Sequence, residues 1–445
     1  MRTWRITGLF CLVLAGLVCA YAGHARAQAP TPMATPTVTP PASTAVPAAT
    51  PAPAAAENPL PVLPGLEKAV EFWKQVFTRY GANDVIFHDR QEPFKVYKVI
   101  SIEDSPVGRK AIKEEIESIS QSEPGSDVRA QRGISERFSS GLAVSRRYID
   151  QMRQIFREEG LPEDIAYLPL VESSFDLNAR SSVGALGIWQ FMPSTGKNYM
   201  RVGPILDERR DPIDSTRAAA RFLKQNYNVL GNWPLAITAY NHGAGGMLRA
   251  MNELGTDNLV EIIRRYQAPS FGFASKSFYA EFLAAVEVAR RGEEFFPELQ
   301  YHLPLALDEL SVERNVSLAA LLKPSGISQS EFLQWNPALS AKARDIPAGY
   351  RIKAPTEKLS ALESAYQRLA RTASAGKAAV VAASKSTIEA SKSSIEWVMH
   401  HVAPGETLYK IARNYRVTVD AIQQANKLKG HQIAPGQQLK IPKKT

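Results

Sequence analysis

The chain is poor in cysteine. It has two in 445 residues, Cys11 and Cys19, both in the first 20. An exported protein that loses them has no thiol, no disulfide framework and no Cys-ligated metal. Long apolar runs are also lacking. The only candidate, Leu9 to Ala20, is too short for a comfortable transmembrane helix and comes after Arg2 and Arg5. With Ala25-Arg26-Ala27 after it, the segment reads as a secretory signal peptide over 1–27. Val18 precedes Cys19 where a lipoprotein signal wants a small residue, which disfavours lipid anchoring through that cysteine. Removal of the signal takes Arg2, Arg5 and Arg26 and no acid, lowering the formal charge from +9 to +6. A mildly basic exported chain suits an anionic polymer such as a cell wall, and makes nucleic acid an unsuited partner. Hydrophobic content of 44% and charged content of 22% exclude a wholly disordered chain.

Proline divides the sequence. Eleven of 30 prolines fall between Pro30 and Pro64, so 28–64 reads as an extended Pro/Ala/Thr-rich linker. Residues 65–150 carry a helical stripe (Leu66, Val70, Trp73, Val76, Phe77), two strand-like runs at 85–87 and 96–100, and a charged, helix-prone stretch over 107–140. They are read as an N-terminal helical region that packs on the segment after it. Residues 151–297 are nearly all helical in pattern, with Asp214 or Ser215 expected as the cap of a long helix. After Glu298 two segments share a β-α-α-β layout, a diverged internal repeat. The first, 298–356, opens on a strand at Tyr301–Leu303, and its last loop is Ile346-Pro347-Ala348-Gly349. The second, 397–445, has Asn426 and Ile433-Ala434-Pro435-Gly436 at the corresponding places. An Ala/Ser/Lys-rich linker over 357–396 separates them.

The chemistry concentrates at Glu172. It ends an apolar helix and is succeeded by Ser173, then a Gly-rich turn and a mixed aromatic and amide segment: Ser181, Gly184-Ala185-Leu186-Gly187-Ile188-Trp189-Gln190-Phe191-Met192. A carboxyl among apolar groups is poorly solvated when charged, so it holds its proton near neutral pH, as a general acid for glycosidic cleavage must. Glycines admit the backbone to a bulky sugar chain, and Gln190 offers an amide for hydroxyl or acetamido groups. Ser194 to Lys197 matches a Ser-x-x-Lys pattern, but no Lys-Thr-Gly partner exists. His400 and His401 are adjacent on a strand, face opposite ways and make a poor metal pair.

These residues resemble the lytic transglycosylase domain, whose fold is like goose-type lysozyme. The pattern is met by Glu172-Ser173, Gly184-Ala185-x-Gly187-x-x-Gln190 and Ala239-Tyr240-Asn241, with Tyr279 the best match to a late-helix tyrosine. Residues 400–442 resemble a LysM repeat through Gly405-Glu406-Thr407-Leu408 and Ile433-Ala434-Pro435-Gly436, two loops expected to face a shallow glycan groove. The order of the two modules resembles the membrane-bound, D-type members of the transglycosylase family. The resemblance implies a mainly α, lysozyme-like catalytic domain with small βααβ LysM modules, and a monomer of the Gram-negative periplasm that acts on peptidoglycan strands without cofactor or metal. It implies Glu172 as acid and then base, Ser173, Ser181, Gly187, Gln190, Met192, Tyr240, Asn241 and Tyr279 as substrate contacts, and 1,6-anhydromuramic products. A muramidase using water with a second carboxylate such as Asp176, and a non-catalytic peptidoglycan-binding scaffold, are the alternatives.

Overall fold

The structure is a computed structural model that describes residues 58–101, 108–372 and 396–443. The signal segment 1–27, both cysteines, the linker up to 57 and residues 373–395 lie outside the described residues. The described residues up to Leu318, together with Ile327–Leu359, form one compact unit; Ala319–Gly326 and the residues from Ser360 onward form a second.

The first unit is mainly helical. Helix α1 (Glu67–Thr78) buries Val70, Phe72, Trp73, Val76 and Phe77. These recur at three- and four-residue spacing, so one face is apolar and docks on the core. Strands β1 (Asp84–Asp89) and β2 (Val96–Ser101) come next, then α2 (Arg109–Ser122), β3 (Val128–Arg132) and α3 (Ser135–Ser145). The three strands make an antiparallel sheet in the order β2-β1-β3. The expected helical region therefore carries a sheet. Strand β3 has the sequence Val-Arg-Ala-Gln-Arg, whose polar residues disguise a strand that pairs with β1 from Val128↔Asp89 to Arg132↔Val85.

Helix α4 (Ile149–Glu158), a 3₁₀ turn (Glu163–Tyr167), α5 (Leu168–Ser173) and the short α6 (Pro193–Gly196) lead to α7 (Pro212–Leu230). Asp211, rather than Asp214 or Ser215, caps α7. Its Oδ1 accepts from the N–H groups of Ile213 and Asp214, both at 3.0 Å, and Pro212 occupies the first turn, where no N–H donor is needed. Helices α8 (Trp233–His242), α9 (Ala244–Leu254), α10 (Leu259–Arg265), α11 (Phe273–Arg290) and α12 (Gly292–Phe295) complete the bundle. Helix α11 is its axis: Ser275, every residue from Ser277 to Val286, and Val288 are buried. A helix buried on all sides sits inside a core rather than upon it.

Strands β4 (Asp308–Ser311) and β5 (Val316–Ser317), helices α13 (Leu318–Ser325) and α14 (Gln329–Trp335), and strands β6 (Asp345–Ile346) and β7 (Arg351–Ala354) come next. The opening strand is Asp308–Ser311, not Tyr301–Leu303; Leu303 is 86% exposed and has no strand partner, whereas Asp308 to Ser311 pair with β7. A helix, α15, begins at 356. The second unit contains β8 (Trp397–His401), α16 (Leu408–Asn414), α17 (Val419–Asn426) and β9 (Gln438–Pro442), with β8 and β9 antiparallel.

The internal repeat is visible atom for atom. Asn336 Nδ2 donates to the Lys353 carbonyl and its Oδ1 accepts from the Lys353 N–H, at 2.8 and 2.9 Å. Asn426 makes the same pair with Lys440, both at 2.7 Å. In the first copy the N–H of Gly349 donates to Val312, and in the second that of Gly436 donates to Val402.

One difference separates the copies. Lys440 is exposed, whereas Lys353 is buried on α7, 2.5 Å from Asp214 and 3.0 Å from Asp211. Arg351 also reaches Asp214, and Arg217 joins Asp214 to Glu309. The loop equivalent to Ile433–Gly436 is covered as well: Arg201 donates to the carbonyls of Ala348 and Gly349.

Candidate active site

Helix α5 is only six residues long and ends on Glu172 and Ser173. The chain leaves it through Ser174 and Phe175, both at positive φ (50° and 55°). Two consecutive left-handed residues without glycine are costly and persist only where packing holds them. Here the Phe175 ring is buried, and Arg137 donates to the Ser173 carbonyl.

The Gly-rich turn is fastened to this helix end. Ser173 Oγ lies 2.9 Å from the Ile188 carbonyl. Ser181 Oγ accepts from the Ala185 N–H at 2.8 Å. Gly187 has φ of 76°, and a Cβ there would stand 1.9 Å from the Arg209 carbonyl oxygen, so only glycine fits. Gln190, also left-handed, donates its amide to the Gly187 carbonyl at 2.7 Å. The Tyr240 hydroxyl donates to the Trp189 carbonyl at 2.7 Å, tying α8 to the same turn. Met192 stands 38% exposed beside it.

Glu172 is half-buried at this junction and has no hydrogen-bond or ion-pair partner among the described residues. Loss of hydration without a compensating cation pushes its carboxyl up to about 8, so it is protonated at neutral pH. The Tyr240 hydroxyl is held well above the ordinary phenol range, by burial first and then by the negative charge of Glu172. That interaction brings Tyr240 to the acid.

The remaining expected contacts divide. Asn241 is exposed, and its Oδ1 accepts from Ser275 Oγ at 2.7 Å. Tyr279 does not open to the site. It has no exposed surface, its hydroxyl donates to the Pro61 carbonyl at 2.9 Å, and burial raises it. It pins the chain entering α1 against the bundle axis. Ser173 and Ser181 are likewise buried and spend their hydroxyls on the backbone, so they shape the turn.

The sequence reading missed Glu281 on α11. It is 1% exposed, and its carboxyl is pushed up to about 8 by burial, then by the negative charge of Glu172, against the pull of Arg129. Its only local signal is a lone acid inside the apolar run Phe278–Val286.

In the second unit a shallow cavity of about 590 Å³ is lined by Glu406, Thr407, His431, Gln432, Ile433, Ala434 and Gln437. Both expected loops contribute to it, and Gly405, Pro435 and Gly436 are exposed. Leu408 does not: it is 2% exposed, in the core with Ile411, Ile422 and Leu439. Glu406 Oε2 accepts from the Ala403 N–H and lies 2.9 Å from His400 Nε2, which fixes its loop. Thr407 caps α16.

Comparison with known proteins decides what these folds are. Residues 153–260 match the transglycosylase SLT domain and residues 400–442 the LysM domain. The chain carries an SLT domain and a LysM domain. It is 28% identical over 288 residues to membrane-bound lytic murein transglycosylase D of Escherichia coli K12, a match that covers 64% of this chain and 61% of that relative. The chain thus spans less than two thirds of that relative's length. A putative tributyltin chloride resistance protein of an Alteromonas species is 39% identical over 99 residues, 22% of this chain and 48% of that one. Among solved structures, the 70 kDa soluble lytic transglycosylase of Escherichia coli overlaps 35% of this chain and 27% of its own, at 20% identity and a TM-score of 0.28. An inactive variant of lytic transglycosylase Slt from Pseudomonas aeruginosa overlaps 43% and 30%, at 21% identity and a TM-score of 0.29. The SLT match contains Glu172, the Gly-rich turn and Tyr240. It stops short of α11, so Glu281 and Tyr279 lie outside it. No helix among the described residues is long and apolar enough to cross a membrane.

Proposed function

We propose that the protein is a peptidoglycan lytic transglycosylase of the bacterial cell envelope. It cleaves the β-1,4 bond between N-acetylmuramic acid and N-acetylglucosamine, and its LysM domain holds it on the wall. The observation that carries the reading is a half-buried carboxyl at the end of α5, without an ion-pair or hydrogen-bond partner among the described residues, which burial pushes up to about 8.

Glu172 gives its proton to the bridging oxygen as the bond from that oxygen to C1 of the muramic residue breaks. The carbonyl oxygen of the substrate's own N-acetyl group stabilises C1. Glu172, now a carboxylate, takes the proton of the C6 hydroxyl while that oxygen bonds C1, closing the 1,6-anhydro ring. One carboxyl serves both steps, and it ends protonated as it began. Tyr240, through its hydrogen bond to Trp189, sets the turn against the acid. Exposed Met192 and Asn241 offer apolar and polar contacts to the sugar chain.

Hydrolysis needs a second, ionised carboxylate to activate water. Asp176 is exposed, with its Oδ1 accepting from the Asn178 N–H, and Glu281 is buried and protonated at neutral pH. Neither supports the muramidase alternative. We assign glycan binding to the cavity of the LysM domain and not to residues 308–354, whose corresponding loop is taken by Arg201. Substituting Glu172→Gln tests the reading. The variant is expected to bind purified peptidoglycan and to release soluble sugar at least about 100-fold more slowly; release at the parent rate would overturn it.

A further inference from the structure

A cavity of about 20 Å³ lies behind the acid, lined by Trp73 and Phe77 of α1, Arg129 and Gln131 of β3, Ile134, Val171 of α5, and Phe273, Ala274 and Glu281 of α11. Val171 is the chain neighbour of Glu172. Most of the wall is apolar, yet three of its polar atoms are buried without a hydrogen-bond partner among the described residues: Trp73 Nε1, Arg129 Nε and Glu281 Oε1. Two are donors and one accepts, and they come from three separate elements. Buried polar atoms left unpaired cost about 1–3 kcal/mol each, so three around one void call for a common partner. The volume suits a single water, and the donors and acceptor match what a buried water bonds. Arg129 is fixed against this wall, its guanidinium 4.2 Å from the Phe273 ring centroid.

We propose that Trp73, Arg129 and Glu281 hold one ordered water behind the catalytic acid, and that Glu281 is a positioning residue coupled to Glu172 across that wall. This rests on the transglycosylase reading for its role in catalysis, but not for its existence. It also gives residues 65–150 a part in the chemistry, because α1 and β3 supply two of the three bonding groups.

The charges around the pair are few. Glu281 faces Glu172 from α5 and Arg129 from β3. Arg129 in turn feels Arg90. His88 on β1 is kept neutral, down to about 4, by burial first and then by Arg129 against the pull of Asp89. Among charged groups, the Tyr240 hydroxyl on α8 feels Glu172 alone. Lys74 of α1 is engaged with Glu71 and Glu287, and Asp164 of the 3₁₀ turn with Arg290. On α3, Arg137 is bound to a backbone carbonyl. Two buried carboxyls therefore repel when ionised, and whichever loses its proton second is raised by the first. Arg129 works against that repulsion.

The test is a pH titration of the full chain with ¹³C-carboxyl-labelled glutamate, the E172Q and E281Q variants assigning the two resonances. In the parent both are expected to titrate in two linked steps. In Glu281→Gln, Glu172 is expected to titrate in a single step, and in Glu172→Gln the Glu281 midpoint is expected to fall by about one unit, the scale at which interacting sites show linked steps. Arg129→Met is expected to raise the Glu281 midpoint, and Arg129→Lys, which keeps the charge, to hold it nearer the parent. In Glu281→Gln the alkaline limb of cleavage is expected to lose its second linked step, whereas a purely structural role would lower the rate and keep both steps. A long-lived water is expected to show a nuclear Overhauser contact with the Trp73 indole N–H. An unshifted Glu281 midpoint in E172Q, two steps kept by Glu172 in E281Q, or a dry indole, would overturn the proposal. Linked titration in a protein that releases no sugar would leave the coupling standing and overturn the transglycosylase reading alone.

Discussion

Replacing Lys353 by Met tests whether the first repeat is fastened to the SLT domain through buried charge. The Lys353 side chain is 2% exposed, and its two partners, Asp211 and Asp214, are 1% and 4% exposed. Methionine fills nearly the same volume but leaves both carboxylates without their shared cation. Asp214 keeps Arg351 at 2.6 Å and Arg217 at 3.3 Å; Asp211 keeps only the backbone N–H groups at the start of α7. Breaking a buried pair from one side costs about 3–5 kcal/mol, because the stranded charge stays desolvated. Urea unfolding at pH 7, monitored by near-ultraviolet dichroism, should show a loss of that size. Burial already pushes Asp211 up against the pull of Lys353, so without the lysine it takes a proton more readily and the loss shrinks as pH falls. The double variant Lys353→Met with Asp211→Asn keeps an N-cap and removes the stranded charge, so it should recover more than half of the loss. A cost below about 1 kcal/mol in the single variant, the range of exposed ion pairs, or no recovery in the double, would refute the reasoning.

The same geometry sets three further outcomes. Glu172→Gln should lower sugar release by about 10²–10⁴-fold, the span of general acid–base catalysis, with peptidoglycan binding retained in a pull-down assay. Gly187→Ala, at φ of 76° and 1.9 Å from the Arg209 carbonyl, should cost about 2–5 kcal/mol in denaturant unfolding, where Gly184→Ala, meeting nothing closer than 3.8 Å, costs less. Glu172 and Glu281 are each raised from 4.5 to about 8, so the folded state keeps protons that the unfolded chain releases. Stability should fall between pH 4.5 and 8, by at most about 5 kcal/mol per group at 1.36 kcal/mol per unit. Glu281→Gln should then be the more stable protein at pH 8 in thermal unfolding; an unchanged pH slope would refute the burial of that charge.

Locality decides which features the sequence discloses and which it hides. Glu172, the Gly-rich turn and the two Asn-centred repeats are written within short segments, where turn chemistry and spacing are decisive. Strand β3 is not, because Val-Arg-Ala-Gln-Arg becomes a strand only by pairing with β1. Tyr279 reads as a substrate contact until α11 proves buried on every side, and the same burial turns Glu281 from an ordinary helix acid into a partner of Glu172. Leu408 sits within a loop signature, yet its side chain faces the core. Lys353 and Lys440 occupy the same place in the repeat. Only the fold, which sets Lys353 against carboxylates 139 residues away at Asp214, separates a structural lysine from a solvated one.

The central claim is the closing of an anhydro ring by a single carboxyl. Mass spectrometry of the sugars that the protein releases from purified peptidoglycan tests it most directly. The account expects fragments one water lighter than hydrolysis products, without a reducing end, depleted at least about 100-fold in the Glu172→Gln digest. Fragments with a free reducing end would contradict it and require a second, ionised carboxylate at the sugar.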